Sequence, residues 1–476
     1  MSNAKAIEAV KAVSTNLVIL PDNQTYDDLV NTYFTEWERE LKPAAFLCPR
    51  STSEVSDIVK AIKPFAFKKT FAICGAGQQA TLGVANVRDG LTIHLRNLKG
   101  VEVDLKRNIV SVAAGERWGN VHAKVGSLGY GVVGQRHSSG GIGGDAVQLG
   151  LAYFSYARGF VCDNVINYEI VLASGEITNA NAETNADLWV SLKGGGNNFG
   201  IVTRYDLAIF RQGDMWGGKV FYFQPGLSSQ IQSLVEYLHD PDADLEVHIC
   251  VSLGYAAAIG DHLCMNDVFS MKPTMPKALE PFANVQPQID QMNSLRVDTL
   301  KGLADESFGD VTANRVAKMS TTVKADTGIL EYAIQTYRTC FEMIKDVTNI
   351  LFSITFELIP VQLISQSIAR GGNATGLTPS DGPLVVILIY TSYDERADDE
   401  KVLGAAKQVL QLIETEAQNR NVFHPWLYLN YAFPNQDVIG SYGVERQAWL
   451  QEVGKKFDVD GFFQIAGTGP FKLEKP

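Results

Sequence analysis

Cysteine is scarce in this chain of 476 residues: Cys48, Cys74, Cys162, Cys250, Cys264 and Cys340 are scattered along it. None sits at the short spacing of a zinc or dithiol motif, so no metal site and no disulfide framework is expected, and the thiols read as buried small hydrophobes. Positive charge is also short, with 41 Lys and Arg against 53 Asp and Glu, a formal net charge of −12. Without a basic block to offset that balance, neither nucleic acid nor an anionic membrane surface is an expected partner. No apolar run approaches the roughly twenty residues that span a bilayer. The N-terminal Met1-Ser2-Asn3-Ala4-Lys5-Ala6-Ile7-Glu8 mixes charge into its apolar residues and lacks the uninterrupted core of a signal peptide. A cytoplasmic enzyme acting on a small molecule is expected, although two sequons, at Asn23 and Asn373, would be available for glycosylation in a secreted chain.

Glycine, by contrast, is concentrated where it changes chemistry. Gly134-Gln135-Arg136-His137-Ser138-Ser139-Gly140-Gly141-Ile142-Gly143-Gly144-Asp145 is one such stretch, and Cys74-Gly75-Ala76-Gly77-Gln78-Gln79-Ala80 is another. Successive amides in glycine-rich turns form anion-binding nests, and the missing Cβ lets a diphosphate lie against the chain. Two such loops can clamp one diphosphate from both sides. The earlier loop also fits the spacing Gly-x-Gly-x-x-Ala of a dinucleotide-binding Rossmann turn. Its continuation, Thr81-Leu82-Gly83-Val84-Ala85-Asn86, carries another glycine and leads to the strand-like Leu91-Thr92-Ile93-His94-Leu95 instead of an amphipathic helix, which argues against that alternative.

Length and a 46% hydrophobic content suggest two domains. Ala45 to Cys48 reads as a strand, followed by a capping box at Ser51 and Glu54 and a helix with Val55, Ile58, Val59 and Ile62 on one face. A further helix is expected around Trp118 to Val125. From about Arg211 to Pro425 long alternating strands are separated by helices. In Leu245 to Ser252 alternation sets Glu246, His248, Cys250 and Ser252 on one face, and in Leu351 to Leu358 it sets Ser353, Thr355 and Glu357 opposite Phe352, Ile354 and Phe356. A solvated face is the plain reading of such polar positions.

Several stretches together carry a family resemblance. They are Cys48-Pro49-Arg50-Ser51, the loops at 74–83 and 136–144, Gly159 to Asn164, Leu172 to Ile177, Asp187-Leu188-Trp189, Lys193 to Thr203, Asn430-Tyr431, and Phe457-Asp458 near Gly461 to Gln464. In this order the chain resembles the flavin-dependent oxidases of the vanillyl-alcohol oxidase and berberine-bridge-enzyme type, particularly fungal secondary-metabolism members. The resemblance implies an α+β fold: a two-part PCMH-type FAD-binding domain (1–210 and 426–476) plus a substrate domain (211–425) whose antiparallel sheet is flanked by helices. It implies FAD contacts at Cys74, Gly75, Ala76, Gly77, Gln78, Gln79 and Gly83. Further contacts follow at His137, Ser138, Ser139, Gly141, Gly143, Gly144, Tyr153, Asn164, Gly200, Ile201 and Asn430. It also turns the polar sheet face toward the flavin ring, making His248, Cys250, Thr355 and Glu357 substrate-pocket candidates.

The departures from the family pattern are informative. Where relatives bind the flavin 8α-methyl through histidine this chain has Gln78, and where bicovalent relatives have a cysteine it has His137, so a noncovalent FAD is expected. His137 otherwise reads as a loop histidine bonded to backbone or phosphate, with a catalytic role as the alternative. Asp145 interrupts the usual glycine run and, if ionised, would oppose added negative charge on the cofactor. Gly140 stands where relatives control oxygen access and offers no side chain to block it, so molecular oxygen is an allowed acceptor. The implied activity is oxidation of a small secondary-metabolite-like substrate by hydride transfer to flavin N5, with Tyr431, Glu357 or Tyr390 as base. Each of those three can instead be an ordinary packed or solvated side chain. The alternative is a non-redox cyclase in which the flavin only shapes the pocket.

Overall fold

In the computed structural model, which describes residues 2–306 and 314–474, the apolar runs pair into three sheets. Ala45–Leu47, Leu91–His94 and Phe71–Cys74 are parallel neighbours, with Val18–Ile19 antiparallel at one edge. Parallel strands are covered on both faces and so are apolar throughout; Phe46, Phe71 and Ile93 are fully buried. The helix Thr52–Ile62 buries Val55, Ile58, Val59 and Ile62, and Ser51 caps it by accepting the Glu54 N–H at 3.2 Å. The other half of the expected box is displaced by one residue, because the Glu54 carboxylate accepts from the Arg50 N–H, 2.5 Å away, instead of reaching Ser51.

Five antiparallel strands form the second sheet in the order Val101–Asp104, Ile109–Ala113, Ile201–Arg211, Val165–Val171, Ile177–Asn181, and Tyr130–Val132 also pairs with Ile201–Arg211. The helix Trp118–Gly126 lies where the sequence places one. Each glycine loop leaves a strand end: the first follows Phe71–Cys74, and the second runs from Tyr130–Val132 into the short helix Ile142–Ala146.

The third sheet is antiparallel throughout and has eight strands. Its order is Arg296–Asp298, Met215–Tyr222, Asp261–Ser270, Val247–Ala256, Leu351–Ile359, Leu384–Tyr393, Arg315–Lys324, Phe423–His424. Helices Leu227–His239, Thr327–Phe341 and Asp399–Asn419 pack side by side against it. The alternating apolar residues Val251, Leu253, Ile354, Phe356, Ile387 and Ile389 are all inaccessible to solvent.

The opposite, polar face is largely covered, with Ser353 and Thr355 only part-exposed. His248, Cys250 and Glu357 are 2%, 3% and 3% exposed, because the 136–156 region lies over them. Tyr156 donates its hydroxyl hydrogen to the Ile249 carbonyl at 2.9 Å, and Tyr153 packs edge-on to His248. Glu246 precedes the strand and pairs with Lys272 at the surface.

The chain end returns to the first sheet, where Phe462 stacks on Phe71 and Asp458 accepts the Phe462 and Phe463 N–H groups, both at 2.7 Å. All six cysteines are free and buried. Of the two sequons, Asn23 is an exposed helix cap, whereas Asn373 is buried and donates its side-chain amide to Asp163 at 3.0 Å. Among the described residues no helix is long and apolar enough to cross a membrane, and no cluster of His, Cys, Asp and Glu is placed to hold a metal.

Candidate active site

The two glycine loops meet. A Cβ on Gly141 would lie 2.6 Å from the Ala76 Cβ, so the second loop passes the first only as bare backbone. Gly77 takes a left-handed φ of +69°, with the Tyr33 ring 3.0 Å from where its Cβ would be. Together the loops form one wall of an open cleft of about 230 Å³. Gly75, Ala76, Gly77, Gln78 and Gln79 line it from the first loop. His137, Gly141, Gly143 and Gly144 do so from the second, joined by Gly200, Ile201, Asn430 and Tyr431. A cleft with one wall of bare glycine-loop backbone fits the diphosphate of a dinucleotide such as FAD.

Other expected contact residues stand behind this wall. Cys74 is buried under the loop, with burial pushing its thiol up to about 12. At Gly83 the backbone turns toward the buried Glu38, whose carboxylate accepts the Val84 N–H at 3.1 Å; burial pushes that carboxyl up to about 8. Ser138 bonds through its backbone to Gly119 and Ala304, and Ser139 is exposed. Asn164 closes a turn by donating to the Arg158 and Phe160 carbonyls. Tyr153 donates to the Arg136 carbonyl at 3.2 Å and packs on Phe269.

At the tethering positions, the Gln78 amide donates to the Thr32 and Ala76 carbonyls, each at 3.4 Å. His137 is held neutral, since burial and the neighbouring Arg136 pull its pKa down to about 4. Asn430 pins the second loop by donating to the Gly144 carbonyl and accepting the Gly150 N–H. Asp145 is buried and accepts from the Trp118 indole at 3.1 Å. Burial raises its pKa to about 7, so it does not carry the full charge expected of an exposed aspartate at neutral pH. The space beside Gly140 is not open: the Gln135 side-chain oxygen lies 1.2 Å from where a Cβ would be.

The cleft ends at a polar cluster built across the two regions. Arg136 grips Glu357 with both guanidinium ends, at 2.6 and 3.2 Å, donates to the Tyr431 hydroxyl at 2.9 Å, and lies 2.8 Å from His248 Nε2. Tyr431 in turn donates to Glu357 Oε1 at 2.8 Å. Arginine can only donate, so His248 Nε2 accepts and the proton resides on Nδ1; burial, then Arg136, holds this imidazole well below its ordinary pKa. Burial opposes the charge on Arg136, but Glu357 and Tyr431 more than offset it. The Tyr431 phenol is pushed well up by burial and by the Glu357 charge. Its oxygen therefore keeps its proton aimed at a carboxylate while facing the cleft.

The remaining candidates are set back from the cleft wall. Thr355 shares a 2.8 Å hydrogen bond with Ser252, and burial pushes the Cys250 thiol well above its ordinary range. Tyr390 sits on the same face, cross-strand from Lys318 and Ser353, with burial raising its pKa to about 12. Arg136, the centre of the cluster, is absent from the sequence-based set, as is Lys318, which lines the cleft beside Tyr431. An arginine inside a glycine loop was the available signal for the first.

Comparison with known proteins agrees with this geometry. A family model described as an FAD binding domain matches residues 43–181. The FAD-dependent monooxygenase tpcD of Cochliobolus heterostrophus is 31% identical over 458 residues, covering 94% of this chain and 88% of that protein. The FAD-dependent monooxygenase FUP4 of Fusarium proliferatum is 30% identical, covering 93% and 87%. Among solved structures, BBE-like 1 of Physcomitrella patens superposes with a TM-score of 0.79 at 16% identity, covering 98% of this chain and 99% of that one. That likeness gives the fold.

Proposed function

The chain belongs to the FAD-binding family of flavin-dependent oxidoreductases, and from that premise we propose that it oxidises a small secondary-metabolite-like molecule with noncovalently held FAD. Residues 1–210 and 426–476 hold the cofactor and 211–425 cover the substrate. Gln78 and His137 at the tethering positions support the noncovalent attachment. FAD, when bound, supplies a hydride-accepting N5.

The observation that carries the reading is the Tyr431 hydroxyl, facing the cleft between Arg136 and Glu357. A phenol so placed takes a proton from the substrate as it passes its own to Glu357, which ends neutral, while Arg136 holds the two oxygens in line. Glu357, fixed by two hydrogen bonds from Arg136, is the proton acceptor behind Tyr431, and His248 orients the guanidinium.

The relatives named as monooxygenases favour a second outcome, insertion of oxygen into the substrate. One experiment separates the readings: anaerobic mixing of holoenzyme with candidate substrate, followed by admission of air and mass analysis. Bleaching of the flavin band without air and a product lighter by two hydrogens are expected, with Tyr431→Phe slowing the bleaching by about 10²–10⁴-fold while retaining FAD. A product heavier by one oxygen, formed only in air, selects monooxygenation. An isomeric product formed without bleaching overturns both in favour of a redox-neutral cyclase.

A further inference from the structure

Three cations, Arg136, Lys219 and Lys318, act on His137 at the cleft wall, and two are already matched. Arg136 is committed to Glu357, and Lys219 is paired with Asp267 at 3.1 Å. Lys318 differs. It lies in the strand Arg315–Lys324, on the face opposite its buried neighbours Ala317 and Met319. Its ammonium lines the cleft with the Tyr431 ring 5.4 Å away, and among the described residues it makes no hydrogen bond or ion pair. Asp145 and Glu357 attract it from a distance, but Glu357 is saturated by Arg136 and Tyr431, and Asp145 faces Trp118. Partial withdrawal from water is costly for an ammonium whose neighbour is only the π face of Tyr431. The cost is recovered when a ligand brings the missing anion.

Resting on the oxidoreductase reading of this cleft, we propose that Lys318 is the recognition group for an anionic oxygen of the substrate, a phenolate or carboxylate, and so sets a preference for acidic substrates. The oxygen binds on the Tyr431 side of the cleft, which brings the rest of the substrate to the base. The cross-strand Tyr390 borders the same position. Burial and the Arg136 charge pull the lysine pKa down, and a bound anion would restore it.

The test is calorimetric titration of holoenzyme with two anions, benzoate and 4-cyanophenolate, and with their neutral counterparts, benzamide and 4-cyanoanisole, at a pH where the phenol is ionised. The wild type is expected to bind each anion about ten- to a hundredfold more tightly than its neutral partner, the range of a charge-assisted hydrogen bond. Lys318→Met should erase the preference, and Lys318→Arg should keep part of it. Lys318→Gln is a second uncharged variant should the methionine protein not fold. FAD content is measured in every sample. No preference in the wild type, or an equal preference in the uncharged variants, overturns the proposal. Loss of FAD or a changed flavin spectrum with the preference intact overturns it too, and assigns Lys318 to the cofactor. A wild-type protein that never holds FAD instead refutes the oxidoreductase reading, and calorimetry still scores the anion preference on its own.

Discussion

Asp145 illustrates how burial converts an ordinary side chain into a pH-responsive one. Its carboxyl, sealed under the second loop with the Trp118 indole as donor, has a pKa raised to about 7. The unfolded chain releases this proton near pH 4, whereas the folded chain holds it until about pH 7. Between those values the unfolded state binds fewer protons, so stability falls as pH rises and levels off above the folded pKa. Asp145→Asn keeps an acceptor for Trp118 and cannot ionise. Its unfolding free energy from urea titration should gain on the wild type progressively from pH 4 to pH 7, by roughly 1.4 kcal/mol for each pK unit of the shift. Parallel curves would show that the carboxyl is ionised throughout. Asp145 was legible as a charge near the cofactor but its protonation was not, because that depends on enclosure by Trp118 and Asn430, distant in sequence. Arg136 was hidden for the same reason, since its partners Glu357 and Tyr431 lie 221 and 295 residues away.

Among the elements, those specified by local pattern read well and the packing between them does not. The helix Thr52–Ile62, the strands around it and both glycine loops follow from local periodicity and turn chemistry. The strand Val247–Ala256 alternates as expected, yet both its faces are buried over much of its length. Alternation separates the faces of a strand without saying what covers them. Nor does the loop sequence reveal that Gly141 meets Ala76. That contact changes the reason a side chain is excluded there: it would first push the loops apart. Gly141→Val should therefore abolish FAD retention during purification while leaving the fold intact by circular dichroism. Full flavin occupancy in the variant would show that the loops can separate without loss of the site.

Taken as one object, the molecule has its cofactor region and its eight-stranded sheet joined by contacts from distant parts of the chain: Arg136 to Glu357, Tyr156 to Ile249, and Arg315 to Glu40. On the proposed noncovalent attachment, FAD stabilises the folded chain by mass action and departs when it unfolds. Acid or heat precipitation should leave intact FAD in the supernatant, and added FAD should raise the melting temperature of stripped protein. Flavin fluorescence fixed to the precipitate would reveal a tether that Gln78 and His137 cannot make.

The buried Asn373 carries a consequence for how the chain can be produced. Oligosaccharide transfer uses the same side-chain nitrogen that donates to Asp163, and Thr375 spends its hydroxyl on the Asn373 side-chain oxygen Oδ1. A sugar at this position and the native packing exclude one another. In a host that glycosylates nascent chains, modification would compete with folding, and molecules modified at Asn373 would be trapped outside the native state. Asn23, exposed at a helix start, imposes no such conflict.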